Sequence, residues 1–203
     1  MAIAGHWLSL SESWRAALTL VLVSVAVMGS PGPSTMAVTA VSAAFRIRRS
    51  LGFVSGAIAG TAGVLAAVAT GVAALLLSMP GLASALTFAS VVYIAYLALR
   101  IATAPPLSRQ AADIPAPSFA AGFLLAVANP KAWIAIAAVF AGSTLAVAAK
   151  VAILGAMIVF IHVGWLIAGT SLAGLLRDPR HSRIANVLFG AILAATTLLA
   201  LVR

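Results

Sequence analysis

Lys131 is a primary ammonium inside an apolar run, with Ala126-Val127-Ala128 shortly before it and Ala132-Trp133-Ile134 directly after. An ammonium so placed carries a heavy desolvation cost unless it is paired, hydrated or able to reach an interface along its stem. Asn129 and Pro130 precede it. The proline withdraws a backbone donor and opens a turn, and the asparagine amide can donate and accept beside that opening. A matching interruption lies 98 residues earlier, from Pro31 to Asn129. There Pro31 and Pro33 remove two amide donors, Gly32 loosens the backbone, and Ser30, Ser34 and Thr35 supply hydroxyls. A helix restarting after Pro33 would present free N–H groups, an end that favours a carboxylate. Lys131 could neutralise such a carboxylate or hold a gate. Two plainer readings stand beside these: a kink or helix end without a ligand at residues 31–33, and a helix cap at the membrane surface at 129–131, with 119–128 lying in the interface.

The rest of the ionisable inventory is sparse. Glu12, Asp113 and Asp178 are the only acids, and all three fall outside the predicted spans, so no intramembrane carboxylate can carry a proton or receive a second positive charge. His162, three residues from Trp165, is the only histidine in a predicted span. Its ordinary pKa suits proton exchange near neutrality, which makes it the candidate coupling residue, against the alternative of a packed, hydrogen-bonded core histidine. Tyr93 and Tyr96 could turn hydroxyls toward a cavity, and Tyr96 could equally anchor an interface. No cluster of His, Asp, Glu or Cys assembles, so the pattern offers no metal site, no cofactor and no catalytic constellation.

These residues sit in a chain of 203, of which 64% is hydrophobic and only 7% charged, far below the roughly 25% of soluble domains. The net charge of +9 is gathered in short clusters between apolar runs, which is how membrane proteins set topology and does not point to nucleic acid. Six spans fit, at about 16–38, 51–77, 82–102, 119–145, 151–175 and 184–202, each near the ~20 apolar residues that a crossing requires. The first reads as a retained span and not a cleaved signal. A proline-rich linker occupies 103–117. Arg46, Arg48, Arg49, Arg100, Arg109, Arg177, Arg180 and Arg183 fall on one side against Arg15, Lys150 and Arg203 on the other, so the richer side is expected in the cytoplasm, against anionic lipid heads, and both termini outside. The segments of the second half begin 103, 100 and 102 residues after those of the first. The expected fold is therefore an all-α polytopic membrane protein, one domain over 1–203, built as a 3+3 inverted repeat (about 16–102 and 119–202) with the first and fourth helices broken. That plan supports alternating access. Gly52, Gly56, Gly60 and Gly63 give the second span a small-residue face suited to close helix packing.

The chain resembles the lysine exporter and homoserine/threonine efflux (LysE/RhtB) family of bacterial inner-membrane proteins. The resemblance rests on Pro31-Gly32-Pro33, on Gly52, Gly56 and Gly60 after a basic loop, on Pro80 ahead of Tyr93-Ile94-Ala95-Tyr96-Leu97, and on Phe119 and Gly122-Phe123 leading to Asn129-Pro130-Lys131. It implies an exporter of amino acids or related metabolites, driven by protons or the membrane potential and working as a homodimer. Ser34 stands where relatives often have Asp or Asn, and Ala138-Val139-Phe140 where they often have Pro-x-Phe. Neutral zwitterions therefore suit the chain better than lysine or arginine. The expected substrate-binding set is Pro31, Gly32, Pro33, Ser34, Tyr93, Asn129, Pro130 and Lys131. A non-transporting subunit of a larger membrane complex is the rival reading.

Overall fold

The computed structural model describes residues 2–71, 115–172 and 178–202, with scattered positions between 78 and 103. Its regular structure is helical, with no strand among the described residues. The elements are α1 (Ala2–Val27), α2 (Pro33–Ala69), α3 (Phe119–Val127), α4 (Pro130–Ala141), α5 (Val147–Leu172) and α6 (Pro179–Val202). Two of them, α2 and α5, are long and apolar enough to cross a membrane, and α3 with α4, bent by 60° at their break, make a third if taken as one span.

Helix α2 is not one rod. Arg46 alone leaves helical geometry, at φ 61°, and the chain turns there. The Ser50 hydroxyl donates to the Val41 carbonyl at 3.1 Å and to the Arg46 carbonyl at 2.7 Å. In a continuous helix residues nine apart would be separated by about 13 Å, so this bond requires the limbs 33–45 and 47–69 to fold back on each other. The basic loop expected at 46–49 is thus a corner of one non-helical residue. The second limb ends at Ala69, where Gly71 turns the chain at φ 76° while its N–H caps the Val68 carbonyl, and the rest of the expected span, 72–77, lies outside the described residues. Likewise α4 stops at Ala141 instead of near 145, at a Gly142 cap.

Helix α2 is the centre of the bundle and packs most extensively on α3 and α5. The contact with α3 is backbone on backbone: a Cβ at Gly56 would collide with the Phe119 carbonyl, and one at Gly60 would come within 2.6 Å of the Phe123 carbonyl oxygen. From the other side, a Cβ at Gly122 would strike the Phe53 carbonyl. Gly63 faces open space, so the small-residue face covers three of its four expected glycines at most. Two apolar clusters result. One joins both limbs of α2 through Ala37, Val38, Val41, Phe53, Val54 and Ala57 to Leu125 and Leu166. The other joins Leu20, Val64 and Leu65 to Ile136, Val139, Leu154 and Ile158.

Candidate functional site

The interruptions between α1 and α2 and between α3 and α4 meet. Asn129 caps α4 by accepting the Lys131 N–H on Oδ1 at 3.1 Å, and its Nδ2 donates to the Ser34 hydroxyl at 2.9 Å, in the first turn of α2. Both residues are buried. One amide side chain therefore ends one helix and ties it to the start of another. On the α2 side the Gly32 N–H donates to Thr35 Oγ1 at 2.8 Å, half of a capping box, and the Gly32 carbonyl accepts from Met36 N at 2.8 Å. Pro33 sits at the first helical position, where its missing N–H costs nothing.

Carbonyls freed by the breaks are taken up by long side chains. The Lys131 ammonium donates to the Ser30 carbonyl at 2.6 Å, the Ser30 hydroxyl at 2.8 Å and the Pro31 carbonyl at 3.0 Å. Trp165, on α5, donates its indole N–H to the Gly29 carbonyl at 3.1 Å, and Trp133 does the same for Val127 at the other break, at 2.7 Å. Gly32 makes this possible by bulk alone, since its backbone is ordinary extended chain: a Cβ there would stand 2.6 Å from Lys131 Cδ and 2.9 Å from Nζ.

Gly32, Ser34, Thr35, Thr61, Asn129, Lys131 and His162 line a cavity of about 40 Å³, together with Met28, Ile136 and Ile158 among others. His162 is buried. Its Nδ1 lies 2.8 Å from the Ile158 carbonyl, which can only accept, so Nδ1 carries a proton. Nε2 is buried without a partner. A larger cavity of about 310 Å³ lies between α1 and α4, lined by Thr19, Leu20, Val139 and Thr144 among others, with no ionisable side chain. It offers apolar and hydroxyl surface only, and ion recognition belongs to the smaller one.

The structure thus brings Gly32, Ser34, Asn129, Lys131 and His162 to one cavity. Pro31 is exposed and contributes its carbonyl, while Pro33 is buried and Pro130 opens α4. Tyr93 lies outside the described residues. Sequence reasoning missed Trp165, Trp133 and Thr61. For Trp165 the signal was its place one turn from His162; Trp133 and Thr61 gave none, since apolar context hides a single N–H or hydroxyl. The Ser34–Asn129 bond makes a thermodynamic prediction. Asn129→Ala is expected to cost about 1–2 kcal/mol through the lost cap and bond, Ser34→Ala about 1, and the double mutant about 1 kcal/mol less than their sum. Denaturant unfolding in mixed micelles measures the cycle, and strict additivity would deny the contact.

Apolar helices thus pack around two facing interruptions and a small polar cavity. The chain belongs to the LysE type translocator family, whose sequence profile matches residues 23–202. This is a family of transporters and not of enzymes, and it is the family that the proline-glycine-proline and asparagine-proline-lysine motifs resemble. No curated protein and no solved structure matches the chain.

Proposed function

We propose that the protein is a secondary exporter that moves neutral zwitterionic amino acids or close derivatives out of the bacterial cytoplasm by alternating access. The observation that carries this reading is the meeting of the two breaks in one polar cavity between two apolar clusters. A cavity of about 40 Å³ has room for a few waters and not for an amino acid, so in this reading it widens, with Lys131 moving aside, for substrate to enter. No acid lines it. A second positive charge on the substrate would go unanswered, which supports neutral zwitterions. Counterflow of labelled amino acids by purified protein in liposomes tests the reading; absence of uptake across a broad pool, in folded protein, would retire it.

Six spans in an inverted 3+3 repeat, both termini outside the inner membrane, remain the topology we propose. Ser34 lies about 18 Å along its limb from the basic corner at Arg46, more than half of a hydrocarbon core ~30 Å thick, which favours a cavity well inside the bilayer over a surface cap. Because the chain has no cysteine, a single one placed at Arg48 reports cleanly: it should react with impermeant thiol reagents from the cytoplasmic side only. Reaction from outside would invert the arrangement.

His162 is the proton carrier in this proposal, because it lines the cavity with an unpartnered Nε2. His162→Gln is expected to keep counterflow while losing stimulation by a pH gradient. Stimulation that survives the substitution would move coupling elsewhere.

A further inference from the structure

We propose that the three oxygens around Lys131 Nζ are a receptor for a primary ammonium group, held by the protein's own lysine when no substrate is bound and yielded to the substrate's ammonium when one enters. The inference rests on the zwitterion reading above and adds to it a site for the end of the molecule that no acid can receive. An ammonium has three N–H donors, and here three acceptors meet them: Ser30 O at 2.6 Å, Ser30 Oγ at 2.8 Å and Pro31 O at 3.0 Å. None is a carboxylate. The Ser30 hydroxyl spends its own proton on the Val27 carbonyl at 2.9 Å, so it offers Nζ lone pairs only. The two carbonyls are available because the chain leaves helical geometry between Val27 and Pro33, which deprives them of the amide donors that a continuous helix would supply. Unwound carbonyls of this kind bind cations in membrane transporters generally.

The lysine is a poor permanent occupant. It stands at the second position of α4, where a helix favours negative charge, and among the described residues no carboxylate compensates it. Its stem crosses bare backbone at Gly32, where no side chain stands between the lysine and the chain that carries the three oxygens. An entering zwitterion can exchange with it. The substrate ammonium takes the oxygens, and the released Lys131 meets the substrate carboxylate beside Asn129, Ser34 and the first-turn amides of α2. Both ends of the zwitterion are then answered, with no acid required. The same exchange unties α4 from the first break, so substrate entry and unlocking are one event.

The test uses purified Lys131→Ala protein, whose missing atoms from Cγ to Nζ are those of n-propylammonium. Millimolar n-propylammonium chloride is expected to raise its melting midpoint saturably by several degrees and to leave wild type unmoved. Neither n-propyltrimethylammonium, which has charge but no N–H, nor sodium should do so. No shift, or an equal shift from either control, overturns the receptor. If Lys131→Ala fails to fold, Lys131→Met keeps most of the stem and leaves the Nζ position empty, and ammonium against tetramethylammonium gives the same readings. In wild-type liposomes, an amino acid that shows counterflow should outcompete its N,N,N-trimethyl analogue by about tenfold or more, since a site built for N–H donors rejects a ligand lacking them. Equal competition sinks the exchange. Rescue by n-propylammonium without transport of any amino acid would retire the zwitterion exporter while upholding the ammonium receptor.

Discussion

Lys131→Ala lowers transport in liposomes by about 30-fold or more, corresponding to the roughly 2 kcal/mol that a charged hydrogen-bonded group contributes. The group removed ties the start of α4 to residues 30–31 through three bonds of 2.6, 2.8 and 3.0 Å. Without it the Ser30 and Pro31 carbonyls lose their donors, and a closed state that depends on them is no longer favoured. Lys131→Arg should fall nearly as far. A guanidinium is planar and larger, and cannot direct three N–H groups from one nitrogen into a pocket bounded by Gly32. Initial rates normalised to folded protein decide the matter, and undiminished transport by Lys131→Ala would remove this lysine from the mechanism altogether.

The second large effect is on stability. Gly122→Ala should cost about 3 kcal/mol, the upper end for overpacked sites, because the new methyl would strike the Phe53 carbonyl and stand 2.9 Å from Ala57 N. Both neighbours are backbone of α2, so no side chain can swing away. Gly63→Ala, two turns further along α2 than Gly56 and with nothing within 4 Å of its Cβ, serves as the control and should be neutral or slightly stabilising. Melting midpoints of the two variants in the same detergent make the comparison. Similar midpoints would mean that α2 and α3 can separate at little cost, contrary to the packing described.

Much of this was legible in the chain because prolines and an intramembrane lysine announce themselves: residues 31–33 and 129–131 are where the helices stop and restart. That the two interruptions touch was not legible, because Asn129 and Ser34 are 95 residues apart and repeat spacing fixes order without distance. Nor was the destination of the Lys131 ammonium. A four-carbon stem reaches several acceptors, and sequence alone left it between a substrate carboxylate and a gate, whereas the fold turns it onto Ser30 and Pro31. The corner at Arg46 was hidden for a different reason. Three arginines in four positions read as a loop, yet one residue in left-handed geometry, braced by Ser50, is enough to reverse the chain. Trp165 was given no role of its own beside His162, and its bond to the Gly29 carbonyl reveals what its N–H does.

The contact between Gly32 and the stem of Lys131 also binds the history of two distant positions. A methyl at 32 and the lysine stem as it lies here cannot occupy the same space, so a side chain at 32 requires either a shorter residue at 131 or a Lys131 swung aside from its three oxygens. Lineages that keep the lysine on those oxygens should therefore keep glycine at 32, while those that lose it are free to change there.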